Sequence, residues 1–272
     1  MVRLNTNGTL RYFTADKLSS LPFVIHAFCT RYGGVSNRPF SSLNVSSRLG
    51  DQEYNVAKNL SIIAGTFGFA PEQFCLVHQV HGDDIVVLDQ NRPIMHSVEQ
   101  PVYGDALIAK RSGVAIGIKT ADCVPILIID LEHQVIAAVH AGWKGTSLGL
   151  TAKVVKKMGH LYGTRPEHLL AAVGPAINCC CYEVDETVFR AFTVRERSLV
   201  FRPGVRPGRW MLDLPSANRN YLLAAGVPDG SIEQAEVCTA CRRDWFFSHR
   251  GEHGLTGRQL SFIMIRQTEK NP

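Results

Sequence analysis

No run of apolar residues in this sequence approaches the ~18 needed to cross a bilayer; the longest candidate is Val124 to Ile129 with its flanks. A membrane span is therefore not expected. The N-terminus, MVRLNTNGTLRYF, also lacks the basic start, apolar stretch and small-residue cleavage site of a secretory signal. The expected location is the cytoplasm, where cysteines stay reduced. Blocks of five or six like charges are missing, and the 29 Lys and Arg residues behind a net charge of +5 are scattered. With no interleaving of basic and aromatic residues, nucleic acid is not an expected partner. There is no internal repeat, and no HExxH, GxGxxG or GxxxxGK[ST]. A zincin helix, a dinucleotide fingerprint and a triphosphate loop are thus excluded.

What is present is ordinary globular material, with 45% apolar and 19% charged residues. The length of 272 residues suits one domain covering 1–272. Phe23 to Cys29 reads as a strand followed by the glycine loop TRYGGVS, and Asp51 to Gly65 as a helix capped by Asp51. From Phe74 to Ala141 the runs FCLVHQV, DIVVLD, DALIAK, VAIGIKT, VPILIID and VIAAVHA are short, rich in Val and Ile, and separated by turn formers. A helix is expected over Thr146 to Met158, a strand over Leu169 to Val173, helices over Asp185 to Phe192 and Pro215 to Ala225, and a last strand over Gln259 to Ile265. RPGVRPGR at 202–209 reads as an exposed connection. Strands bunched in the middle predict an α+β fold of mixed β-sheets packed together and flanked by helices.

Eight cysteines in a reducing compartment call for metal, catalysis or plain burial in place of a disulfide frame. Three polar residues stand where apolar strands give way to turns: His81 in QVHG, Cys123 in TADC and His140 in AVHAGW. Zinc accepts imidazole and thiolate together, and three protein ligands leave a place open for chemistry. Sequence spacing alone leaves buried, hydrogen-bonded histidines and an apolar cysteine as the alternative. His78 competes with His81; alternation in an extended segment predicts that only one of them faces a cleft, and the following Gly82 favours His81. HAGWKGT offers free amides and Lys144 as an anion site. Arg31, Arg250 and Arg258 are arginines beside tight turns, suited to phosphate or carboxylate as well as to a solvated surface. Asp122 and Asp105 are the carboxylates nearest the strand ends, open to a role as ligand-orienting group, general base or turn cap. Cys238-Thr-Ala-Cys241 has CxxC spacing, and a second structural zinc with help from Cys179 to Cys181 is a further option.

Together, QVHG, TADCVPI, HAGWKGT, GPAI with CCYEV, and FFSHR resemble the YfiH or laccase-domain family, multicopper polyphenol oxidase-like proteins also known as zinc-dependent purine nucleoside phosphorylases. The resemblance runs from TRYGGVS to TGRQLSFI, almost the whole chain. It implies a metal triad of His81, Cys123 and His140, with zinc as the cofactor and copper as the alternative. It implies phosphorolysis of adenosine, inosine and methylthioadenosine to free base and ribose 1-phosphate, with adenosine deamination beside it, in a monomer or small homo-oligomer. Asp122 and Cys123 are the expected catalytic residues, and Arg31, Asn44, Lys144 and Arg250 the expected phosphate or nucleoside contacts. Lys144 stands where relatives often carry arginine. Competing readings are a copper-dependent polyphenol oxidase, against which the chain has no His-x-His pair, a non-enzymatic metal-binding module, and a cysteine hydrolase with Cys123 as nucleophile and His140 as base.

Overall fold

The computed structural model describes residues 1–88 and 101–267. Among them the strands, in chain order, are β1 (Val2–Asn7), β2 (Leu10–Ala15), β3 (Val24–Cys29), β4 (Phe74–Leu76), β5 (Ile85–Leu88), β6 (Ala106–Ala109), β7 (Ala115–Thr120), β8 (Val124–Asp130), β9 (Val135–Ala141), β10 (Leu169–Val173), β11 (Glu183–Val184), β12 (Phe201–Pro203), β13 (Trp210–Leu212), β14 (Ile232–Gln234) and β15 (Gln259–Ile265). The helices are α1 (Asp16–Ser19), α2 (Glu53–Phe67), α3 (Trp143–Ser147), α4 (Leu150–Tyr162), α5 (Glu186–Ala191), α6 (Val194–Val200) and α7 (Leu214–Ala224). Asp89, the last residue of the expected run DIVVLD, lies outside the described residues.

The strands form two six-stranded mixed sheets, ordered β1-β2-β3-β15-β7-β4 and β14-β10-β8-β9-β6-β5, and a three-stranded sheet β11-β13-β12. The two large sheets pack face to face, since one buried cluster joins Phe28, Ile116, Ile118 and Ile263 of the first to Leu107, Leu127, Ile136 and Ala138 of the second. On the outer face of the second sheet, Ile126, Ile128, Ala137 and Val139 pack against Val154 and Met158 of α4 and Leu222 of α7. On the outer face of the first, Ile25, Phe262 and Met264 pack against Ile63 and Ala64 of α2. The result is four layers, which explains why β8 and β9 are buried at every position: strands covered on both faces read as continuous apolar runs with no alternation. The α+β expectation of packed mixed sheets with flanking helices holds.

Two local expectations are corrected. The single helix over 146–158 is two, α3 and α4, because Gly149 takes φ +73° between them; a left-handed glycine ends one helix and the apolar face restarts at Leu150. Asp51 does not cap α2, whose N-cap is Gln52. Its carboxylate instead accepts from Ser36 Oγ at 2.6 Å and Asn44 Nδ2 at 2.7 Å, tying the 30–46 loop to the start of the helix.

The same loop is held from above by Asn59 of α2, which is fully buried. Its amide donates to Asn44 O at 2.7 Å and Ser36 Oγ at 2.9 Å, and its oxygen accepts from Val35 N at 2.8 Å. Removing it strands several buried polar groups, and each unsatisfied group costs about 1–3 kcal/mol. Asn59→Ala should lower stability by about 3 kcal/mol, read as a fall in the denaturant midpoint with the unfolding slope unchanged.

Candidate metal centre

The backbone register brings the site together. β8 and β9 pair so that Val124 lies opposite Ala141 and Pro125 opposite His140, which sets Cys123, at the start of one strand, beside the end of the other. His81 arrives on the turn after β4 with φ +60°, a left-handed conformation uncommon for a side-chain-bearing residue and typical of places where surrounding contacts over-determine the backbone. Those contacts come from Asp105, which is fully buried. It accepts from Val80 N at 3.3 Å, His81 N at 2.9 Å and Gly82 N at 2.7 Å. Asp105 also accepts from His140 Nδ1 at 2.8 Å, while its carbonyl accepts from His140 N at 2.7 Å. With its proton on Nδ1, His140 turns Nε2 as a lone-pair donor toward Cys123, the arrangement that orients metal-binding imidazoles.

One ligand atom from each of His81, Cys123 and His140 lies within 4.8 Å of the others, and the two imidazole rings meet edge to face at 4.8 Å. A Cβ on Gly142 would come within 3.1 Å of both the Cys123 sulfur and the His81 ring, so glycine is what lets the backbone pass this close. Two imidazoles, one thiolate and a carboxylate behind one imidazole form a donor set that suits zinc or another borderline cation.

Without an ion the three groups polarise one another. Burial raises the Cys123 pKa, but the charge and hydrogen bonds of His140 and His81 outweigh it and bring the thiol down to about 6. Burial lowers that of His140, yet the Cys123 thiolate and the Asp105 carboxylate lift it to about 9. Without an ion both shifts favour a thiolate facing an imidazolium, and binding a cation at His140 Nε2 requires the loss of that nitrogen's proton. Burial opposes ionisation of Asp105 too, and the donors from His140, Gly82 and His81 more than compensate, holding it below the usual carboxylate range.

The triad opens into a cavity of about 600 Å³, a volume suited to a small-molecule ligand. Leu49, Trp143, Ile177 and Leu214 give it apolar lining, and Arg48, Lys119, Arg250 and Arg258 bring four cations to the same space. Burial, then the neighbouring charges of Arg48 and Arg258, push the Lys119 pKa down. Burial is the larger cause, and the nearby positive charges add to it.

Of the expected site residues, His81, Asp122, Cys123, His140 and Arg250 all line this cavity. Arg31 and Lys144 do not, and neither does Asn44. Arg31 donates to Ser41 O and Arg243 O, each at 2.8 Å, pairs with Glu252 at 3.0 Å, and lies over the Phe247 ring, in a separate groove. Lys144 is exposed in the first turn of α3. Asn44 is fully buried and accepts from Arg258 N at 2.8 Å, so it sets the backbone of a cavity arginine. Asp122 has φ +88° and accepts from Thr239 Oγ1 at 2.6 Å, Ser248 Oγ at 2.7 Å and Arg250 N at 2.7 Å; its carboxylate ties two further chain segments to its own. His78 lines the cavity beside His81, contrary to the expectation from alternation, because the left-handed turn at His81 breaks the extended run. Arg48 and Lys119 escaped the sequence reading. Lys119, a single cation inside the apolar run VAIGIKT, carried a signal; Arg48, in an irregular loop, carried none.

Residues 25–266 match the family model described as multi-copper polyphenol oxidoreductase laccase. The chain is 38% identical over 248 residues to the purine nucleoside phosphorylase YlmD of Geobacillus stearothermophilus, covering 88% of this chain and 89% of the relative. It is 33% identical over 247 residues to adenosine deaminase RL5 of an unknown prokaryotic organism, covering 88% and 93%. The crystal structure of Bacillus licheniformis hypothetical protein YfiH superposes with a TM-score of 0.90 at 31% identity, covering 97% of this chain and 99% of that one.

Two outcomes test the centre. Asp105→Asn should weaken zinc binding about 10–100-fold, measured by competition with a chromogenic chelator. In metal-free protein, alkylation of Cys123 should rise with pH around a midpoint near 6, as the thiolate forms, and added zinc should suppress it; a midpoint in the ordinary thiol range of about 8.5 would contradict the pairing with His140.

Proposed function

The chain belongs to the multi-copper polyphenol oxidoreductase laccase family, and we propose that within it the protein is a zinc-dependent purine nucleoside phosphorylase, cleaving adenosine, inosine and methylthioadenosine with phosphate. The observation that carries this reading is the convergence of Arg48, Lys119, Arg250 and Arg258 on the cavity that also holds His81, Cys123 and His140. Phosphorolysis needs an anion delivered to a ribosyl carbon that becomes cationic, and cations crowded against each other in a half-buried space are relieved by a phosphate. The relative named a purine nucleoside phosphorylase supports the same substrate class.

In this reading His81, Cys123 and His140 hold the zinc, which supplies Lewis-acid polarisation in the pocket. Asp105 keeps the Nδ1 proton of His140 in place. Lys119 and Arg258 bind and orient phosphate, with Arg48 at the rim, while Arg250, held against Tyr182 at 5.2 Å and donating to Glu183 O at 2.8 Å, closes one wall. Trp143, Ile177 and Leu214 exclude water and offer apolar surface to the purine. With both carboxylate oxygens of Asp122 engaged by donors, its part is to position Arg250 and the neighbouring Cys123. The non-oxidative reading also suits the ligands, since among the described residues the histidines at the triad do not form the paired sets that a multi-copper cluster uses.

Adenosine deamination is proposed as a side activity of the same pocket, on the support of the relative named an adenosine deaminase. Incubation with inosine and phosphate should release hypoxanthine and ribose 1-phosphate. Cys123→Ala should abolish turnover, and Lys119→Ala should raise the KM for phosphate roughly 10–100-fold, the loss of one charge-assisted hydrogen bond. Chromatography of the products checks both. An unchanged rate in Cys123→Ala, or oxygen uptake with a phenol in copper-loaded protein in place of nucleoside cleavage, would reject the reading.

A further inference from the structure

A second set of ligands lies outside the cavity. Cys180 and Cys181, on the loop between β10 and β11, meet Cys238 and Cys241, on the loop after β14, with all four sulfurs within 4.8 Å of one another. Cys241 Sγ is 3.6 Å from Cys180 Sγ and 3.3 Å from Cys181 Sγ. Four sulfurs at about 2.3 Å from one tetrahedral ion lie about 3.8 Å apart, so the four sulfurs, all within 4.8 Å of one another, are close to the spacing that a tetrathiolate site needs. They are not those of a disulfide, whose sulfurs sit about 2.05 Å apart and which would choose one of the two cysteines flanking Cys241 and leave the other without a role.

The backbone supports the same arrangement. Asn178 N donates to Cys238 Sγ at 3.4 Å, the kind of outer-shell hydrogen bond that steadies a ligating thiolate. A tight turn closes the CxxC through Arg242 N to Cys238 O at 3.0 Å, and another closes the facing loop through Cys181 N to Asn178 O at 2.9 Å. Both turns present their sulfurs inward, and the exposure of Cys180 and Cys241 gives an ion a way in. Cys179 stays out of the cluster.

We propose that Cys180, Cys181, Cys238 and Cys241 bind a second, structural zinc ion that clamps these two loops together. A closed set of four thiolates with no open place suits zinc and leaves it without a catalytic water. The clamp sits directly behind the cavity. Thr239, inside the CxxC, donates to Asp122, and Tyr182, the residue after Cys181, lines the cavity wall. The ion therefore fixes the distance between two loops that shape the cavity while touching nothing that reacts. This inference does not rest on the nucleoside reading and stands or falls separately from it.

The test is metal content of the intact chain purified under reducing conditions with zinc present. Wild type should carry two zinc ions per chain, Cys123→Ala one, and Cys180→Ser/Cys241→Ser one, with the single Cys241→Ser variant as the milder change should the double variant fail to fold. Cobalt-loaded Cys123→Ala should keep an intense thiolate-to-cobalt charge-transfer band, and the cluster variants should lose most of it. One zinc per chain in wild type and cluster variants alike, or a cluster whose four thiols alkylate freely in zinc-saturated native protein, would overturn the proposal.

Discussion

One buried carboxylate holds the centre together. Asp105 receives three consecutive backbone amides from Val80, His81 and Gly82 and the imidazole of His140, so two ligands from chain segments about sixty residues apart are referenced to one side chain. These bonds help to hold His81 in its left-handed conformation, and strain of that kind persists only where several contacts enforce it. A buried carboxylate is itself expensive, and its four donors offset the cost. The same bonds fix which nitrogen of His140 is free. Tautomer, ring orientation and backbone turn are thus one decision, made by one residue.

The cavity divides its surface by chemistry. Cations gather beside Gln79 and the ends of β7 and β15, where Lys119 N donates to Gln79 Oε1 at 2.8 Å and Gln79 Nε2 to Lys119 O at 2.7 Å, a reciprocal clamp that gives Lys119 a fixed backbone. Arg258 is placed by Asn44, itself held by Asp51 and Asn59. The 30–46 loop is therefore a scaffold for a cavity arginine, and Arg31, which the sequence suggests as a ligand, is one of its struts: its Nε and Nη1 donate to carbonyls and to Glu252. These bonds stabilise the loop.

Legibility in the sequence follows the same division. Strands β8, β9, β10 and β15 were readable because buried runs of Val, Ile and Ala leave no doubt about period, and the last was placed to the residue. The hairpin β1–β2 around the Gly8-Thr9 turn is hard to read because VRLNTN has only two strongly apolar residues, Val2 and Leu4, and none of its six is buried. The small sheet β11-β13-β12 has strands of two or three residues, too short for any period to show. His81, Cys123 and His140 could be singled out as polar residues at strand ends; that they converge depended on the register of β8 on β9 and on Asp105, neither of which spacing reveals. Arg48 reaches the cavity from an irregular loop, and only tertiary structure places such a residue.

What shapes the cavity is a chain of anchors that extends well beyond the ligands. The Asp122 carboxylate, in a left-handed turn immediately before Cys123, draws in Thr239, Ser248 and the backbone of Arg250. Each donor comes from a loop with no regular structure, and loops without ladders need fixed points of another kind. Thr239 lies within the CxxC and Arg250 leans on Tyr182, which follows Cys181, so the position of Asp122 and the geometry of those four sulfurs are coupled through Thr239 on one side and through Arg250 and Tyr182 on the other. A metal triad on rigid strand ends could bind an ion with these loops in many places. The wall that decides what molecule lies beside the ion is built from them, and its precision is set by Asp122 and by whatever holds the four cysteines in register.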